Sequence, residues 1–210
     1  MIYNTYVQQL SFDGLTYTKG SVVDLLKSFN IISQDFPFVK HPEPKELPSR
    51  DWYGEDGLDV YVPDQLPIKN YEIEVVFLYT RNLSMNSGEE DIAGESPVEK
   101  RDRLMRRDIS NFLDFLYGRS KGSVNDTVQS GRLAIYNEYT GIGRKDVVVS
   151  GVDNELFEAG DGDPDCVAKF TVKFMVYDPT TDVTAVKGVY DGEERVTDLN
   201  FSVSESQAGE

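Results

Sequence analysis

Ser96–Gly118 reads SPVEKRDRLMRRDISNFLDFLYG, and this stretch decides the fold class because it is the one long helix that the chain announces. Ser96 stands at the N-cap, Pro97 at the first helical position and Glu99 three residues after the cap. That pattern is a capping box, in which side chains satisfy backbone N–H groups that have no partner inside the helix. Met105, Ile109, Phe112, Leu113 and Leu116 then recur at i, i+4, i+7, i+8 and i+11, which predicts a single apolar stripe on a helix over 97–117. Gly118 supplies a left-handed stop.

On both sides of this helix the periodicity changes from helical to alternating. Tyr71–Thr80 (YEIEVVFLYT) is the clearest strand, with Tyr71, Ile73, Val75, Phe77 and Tyr79 on one face and Glu72 and Glu74 opposite. Val167–Tyr177 alternates in the same way, with Lys169 and Lys173 on its polar side, and Asp178-Pro179 ends it. Leu133–Tyr139 and Asp146–Val152 read as strands as well. Ile2–Phe12 and Leu15–Thr18 flank the turn dipeptide Asp13-Gly14 and predict an opening hairpin. Thr184–Tyr190 and Arg195–Val203 predict a late hairpin around Asp191-Gly192. Ser21–Phe29 places Val22, Leu25, Leu26 and Phe29 at helical spacing behind Ser21 and Asp24, so a short helix is expected, with a strand as the alternative for its β-branched start.

Between the opening hairpin and the strong strand the chain carries Pro37, Pro42, Pro44, Pro48, Pro63 and Pro67. Each removes a backbone donor, so a long central strand or helix is excluded and residues 36–67 are expected to form an extended arm. Polar residues 81–96 predict a mobile loop, 118–131 a second loop, and 204–210 a frayed tail. The expected architecture is one domain over 1–210, mostly β in an α+β arrangement: a β-sandwich or barrel with one principal amphipathic helix and the Pro-rich arm.

Composition narrows the function classes. The chain has 210 residues and a formal charge of −16, which disfavours stable binding to nucleic-acid phosphate. It fits a solvated surface, or one past which DNA slides without sticking. No apolar run approaches the roughly 20 residues of a membrane span, and MIYNTYVQQLSF lacks the features of a signal peptide. The single Cys166 excludes an internal disulfide and fits a reducing cytoplasm.

The candidate chemistry is thin. Gly141-Ile142-Gly143-Arg144 resembles half of a dinucleotide fingerprint, but a valine run follows where a helix is needed, so a β-turn is expected with Arg144 and Lys145 as tip residues available to a neighbour. Asp161, Asp163 and Asp165 alternate as in a calcium loop, yet Cys166 replaces the required glycine and Val172 the closing glutamate. His41, the lone histidine, lies among prolines, and no nucleophile elbow accompanies it. The expectation is a non-enzymatic protein without cofactor or metal. Lys100, Arg101, Arg103, Arg106 and Arg107 form a basic island on the polar side of the helix. It reads either as a solvated face with i,i+4 partners or as a docking surface for an acidic patch on another copy. Trp52 and Tyr53 in the arm join Arg101, Arg103, Arg106, Arg107, Arg144 and Lys145 as candidate subunit contacts.

The order of these pieces resembles the N-terminal, ring-forming domain of bacteriophage distal tail proteins, and with it the related tail-tube proteins. The resemblance rests on Phe12-Asp13-Gly14, Arg50-Asp51-Trp52 with Gly57-Leu58, Tyr71–Thr80, FLDFLYG at Phe112–Gly118, Gly131–Arg144 and Tyr177-Asp178-Pro179. It covers about residues 10–183 by pattern. It implies a β-sandwich or barrel with one helix and a belt, copies closing into a hexameric ring, other tail proteins as partners, and residence in a virion tail assembled in the host cytoplasm. Hub, tube and terminator roles fit equally. The loop before the helix is longer than the pattern, and no carbohydrate-binding-like C-terminal domain is expected after Pro179. The competing readings are a small ligand-binding module or hydrolase using the acidic turns, and a head-to-tail connector or tail-completion subunit.

Overall fold

Alternating apolar residues dominate the order of elements. The computed structural model describes residues 4–33, 36–51, 58–80, 92–119, 128–159, 168–190 and 192–201. In chain order these form β1 (Thr5–Phe12), β2 (Tyr17–Asp24), α1 (Leu25–Phe29), β3 (Ile31–Ser33), β4 (Ser49–Asp51), β5 (Leu58–Val60), β6 (Tyr71–Tyr79), α2 (Pro97–Leu116), β7 (Leu133–Asn137), β8 (Ile142–Ala159), β9 (Ala168–Val176), β10 (Val183–Tyr190) and β11 (Glu193–Phe201). The described residues are mostly β and form a seven-stranded antiparallel sheet in the order β2-β1-β7-β8-β9-β6-β3, two separate pairs, β4-β5 and β10-β11, and two helices.

Alternation along the strands gives the large sheet two apolar surfaces. Val7, Val23, Ile73, Val75, Phe77, Leu133, Ile135, Phe170 and Phe174 form one with the helices. Tyr6, Leu10 and Ala134 point the other way and are covered by Val183 and Leu199 of the β10-β11 hairpin. Side chains from β1, β3 and β7 also meet, although β1 and β3 are not sheet neighbours. Thr5 Oγ1 lies 2.7 Å from Ser33 Oγ, and Asn137 Nδ2 donates to both at 3.1 and 3.3 Å.

Helix α2 follows its sequence signals. Ser96 Oγ accepts from Glu99 N at 3.3 Å while Glu99 Oε2 accepts from Ser96 N at 2.8 Å. At the far end Gly118 adopts φ 69°, and a Cβ there would stand 2.5 Å from the backbone carbon of Ser130, so only glycine turns this corner. Leu104, Met105, Ile109, Phe112, Phe115 and Leu116 are buried, each contributing about 1.5–3 kcal/mol. Gln9 Nε2 of β1 donates to Phe115 O at 2.6 Å, a second donor to a carbonyl near the end of the helix that also accepts from Gly118 N at 3.0 Å. Asp108 is buried within α2 and accepts from Tyr79 Oη at 2.9 Å and Asn30 Nδ2 at 3.3 Å, tying the helix to β6 and to the end of α1.

Some expectations change. The helix expected over Ser21–Phe29 is reduced to Leu25–Phe29 with Asp24 as its cap, because Val22 and Val23 continue β2 against β1. The turn expected at Gly141–Lys145 ends at Gly141, whose φ is 66°, and β8 begins at Ile142. The first part of the expected arm is core: Phe36 lies against Phe77 and Phe174, with Phe38 beside it.

Candidate functional site

Two surfaces stand out. The first is the proline-rich stretch after Phe38. Its two legs pair with each other: Lys69 N donates to Glu43 O at 2.8 Å, Lys45 N to Pro67 O at 2.7 Å and Tyr61 N to Pro48 O at 3.1 Å. Between these, Ser49, Arg50 and Asp51 pair antiparallel with Val60, Asp59 and Leu58. Prolines are tolerated because a two-stranded ribbon has edges that need no donor. Among the described residues of 40–50 and 60–70, none is buried. Tyr61 and Val62 are 69% and 65% exposed, and Val60 and Leu66 are exposed too. Pro48, Ser49, Arg50, Val60, Tyr61 and Val62 line an open hollow of about 420 Å³.

The second surface is a polar cleft of about 670 Å³ where the root of this ribbon faces the body. Lys45, Leu66, Ile68 and Asn70 line one side, with Tyr17, Lys145, Asp146 and Asp178 on the other. On the body side its charged groups are held by neighbouring side chains. Asp146 sits at φ 53°, a left-handed conformation that aspartate tolerates better than most residues. Its carboxylate accepts from Tyr17 Oη at 2.6 Å and from Arg132 at 3.1 Å. Burial, followed by the bond to Asp146, pushes the Tyr17 phenol up to about 12. Lys145 is buried, with its ammonium 3.2 Å from Asp178 and over the rings of Tyr17 and Phe201 at 4.8 and 5.6 Å. Burial works to raise Asp178, but bonds from Thr181 and the Lys145 charge outweigh it and hold its carboxyl below the usual range. On the body side, Tyr17, Lys145, Asp146 and Asp178 thus form an internal brace.

The residues expected as subunit contacts divide. Trp52 and Tyr53 lie outside the described residues. Arg144 and Lys145 are not exposed tips but buried cations, a correction that follows from the strand starting at Ile142. Between the pairs Leu133–Val147 and Ile135–Arg144 the register slips by one residue, so the bulged strand carries both inward. Arg144 is 2% exposed. It donates to Gly143 O at 3.0 Å and to Val39 O at 3.2 Å and pairs with Asp182, pinning the stretch before the ribbon to the start of β10. In the basic island, Arg103 forms a two-pronged bond to Glu95 at 2.8 and 2.9 Å. Arg107 holds the Asp108 carboxylate at 3.1 Å, Arg101 is 3.6 Å from Asp102, and Arg106 is exposed. Much of the island therefore serves its own helix and its start.

The aspartate loop at 161–165 and Cys166 lie outside the described residues. Among those described, no group of three or more His, Cys, Asp or Glu could hold a metal ion, and no helix is long and apolar enough to cross a membrane. No protein-family model matches the chain, and comparison with curated proteins and with solved structures finds no match. Sequence reading missed Asp108, Asp178, Asp182 and the Tyr61-Val62 pair. For the last, a signal was present in Val60-Tyr61-Val62 set before Pro63: β-forming residues next to a strand breaker, with no core to join.

Proposed function

We propose that this protein is a non-enzymatic structural subunit that self-assembles into a ring, of the kind found in phage or prophage tails as distal hub or tube. In this reading the large sheet curls into a sandwich or barrel plugged by α2, and residues 43–69 serve as the arm that reaches a neighbour. The observation carrying the reading is the ribbon itself. An isolated two-stranded hairpin is at best marginally stable in water, and this one exposes Val60, Tyr61, Val62 and Leu66. Docking an extended, proline-stiffened segment loses less entropy than ordering a flexible one. Rotational repetition multiplies one modest contact around a closed ring. The −16 charge supports a lumen past which DNA moves without adsorbing. The tail assignment itself rests on the resemblance in element order.

Sedimentation velocity over a wide concentration range, with electron microscopy of the heaviest species, tests the assembly. Rings are expected from the native chain, and their loss is expected for the Tyr61→Asp/Val62→Asp variant. A strict monomer at every concentration overturns the reading. A coding gene adjacent to a tape-measure gene is the expected genomic setting for the tail assignment.

A further inference from the structure

The turn between β1 and β2 holds out an apolar knob. Leu15 is 92% exposed, and Phe12 beside it is exposed as well. Neither position is loose. The Asp13 carboxylate accepts from Leu15 N at 2.9 Å, Thr16 N at 2.8 Å and Thr16 Oγ1 at 3.1 Å, a side-chain-closed turn. The backbone bonds from Thr16 and Leu15 hold the Asp13 carboxyl below its usual range, so it is an anion at neutral pH. Phe12 is flanked by the Tyr17 ring at 4.7 Å and the Arg132 guanidinium at 5.4 Å. A large apolar side chain presented on a pre-set turn loses little entropy on docking.

Resting on the self-assembly proposed above, we infer that this knob is what the ribbon hollow receives, with the knob on one copy and the hollow on the next. The hollow offers Pro48, Val60, Tyr61 and Val62 as apolar wall and Arg50 as a cation, and the knob brings Phe12 and Leu15 with Asp13 as an anion between them. Apolar surfaces meet and opposite charges fall together, which sets the register of the contact. Both surfaces belong to every chain and differ from each other, so the contact is head-to-tail. Such contacts close into a ring when the rotation permits.

Cross-linking tests it in a Cys166→Ser background. The Leu15→Cys/Val62→Cys double variant, mildly oxidised at concentrations where the protein self-associates, is expected to give a ladder of covalent oligomers. Each single variant is expected to give no product larger than two chains. Leu15→Asp is expected to weaken association roughly ten- to a hundredfold, with an unchanged thermal transition because this side chain lies in solvent. Self-association without a ladder, or unaltered by Leu15→Asp, overturns the knob-and-hollow contact and leaves the ring reading standing. A chain that never associates overturns both.

Discussion

The body and the ribbon solve the same problem of backbone satisfaction and differ in what becomes of the side chains. Around Phe77 the rings of Phe36, Phe112, Phe170 and Phe174 approach with centroids 5.2–6.4 Å apart, so paired strands and buried side chains reinforce each other. In the ribbon, Ser49–Asp51 pairs with Leu58–Val60 as regularly, yet Tyr61 and Val62 stay in water. Hydrogen-bond pairing alone therefore does not mark a folded core in this chain. Burial within the chain stabilises the body, whereas on the reading proposed above the ribbon's burial comes from a neighbouring copy.

The largest effect that could break this contrast is at the centre of the body. Phe77→Ala should lower unfolding stability by about 3–5 kcal/mol, read by urea denaturation, and should abolish assembly only by unfolding the subunit. A loss below 1 kcal/mol would mean that the aromatic cluster is not where stability resides. Next comes the buried carboxylate of α2. Asp108→Ala removes the carboxylate that accepts from the buried Tyr79 hydroxyl and from the Asn30 amide, and loss of a buried acceptor of this kind costs about 1–3 kcal/mol. Asp108→Asn, which keeps an acceptor, should recover part of the loss.

How much of this was legible in the sequence varies by region, for physical reasons. Helix α2 was readable to its caps because capping, stripe and stop are local signals carried by Ser96, Glu99 and Gly118. The strands β6 and β9 were readable because each buries one full face, which enforces alternation at Ile73, Val75 and Phe77. Arg144 and Lys145 were misread because a cation adjoining a Gly-Ile-Gly turn looks exposed, whereas a bulge in β8 turns it toward acceptors far away in sequence: Val39 O, Asp178 and Asp182. Likewise Phe36 and Phe38, flanking Pro37, look like part of an arm until β6 and β9 supply the wall they pack against. The ribbon was visible as a proline-rich stretch, while its self-pairing was not, since pairing between 43–51 and 58–69 leaves no periodic trace among so many prolines.

A smaller effect separates the cleft from both regions. The Tyr17 phenol titrates near 10 when unfolded and is pushed up to about 12 in the fold by burial and by the Asp146 carboxylate. A raised folded value means that its contribution is fully present below pH 10 and is lost as pH rises from 10 through 12. Tyr17→Phe should remove this component, so the stability of native and variant chains should converge over that window. Parallel curves from pH 9 to 12 would show that the brace between Tyr17 and Asp146 contributes no pH-dependent stability.

The smallest expected effect is the most informative about the ribbon. Tyr61→Asp/Val62→Asp places two carboxylates on side chains that touch little of their own chain, and exposed substitutions of this kind usually change stability by less than about 0.5 kcal/mol. The urea midpoint of the monomeric fraction should stay put while association disappears, the reverse of the pattern expected for Phe77→Ala. If instead the midpoint falls by more than about 1 kcal/mol equivalent, Tyr61 and Val62 must pack against their own body in solution. The ribbon would then be a flap of the domain, and the contrast between a self-sufficient body and a partner-dependent appendage would be lost.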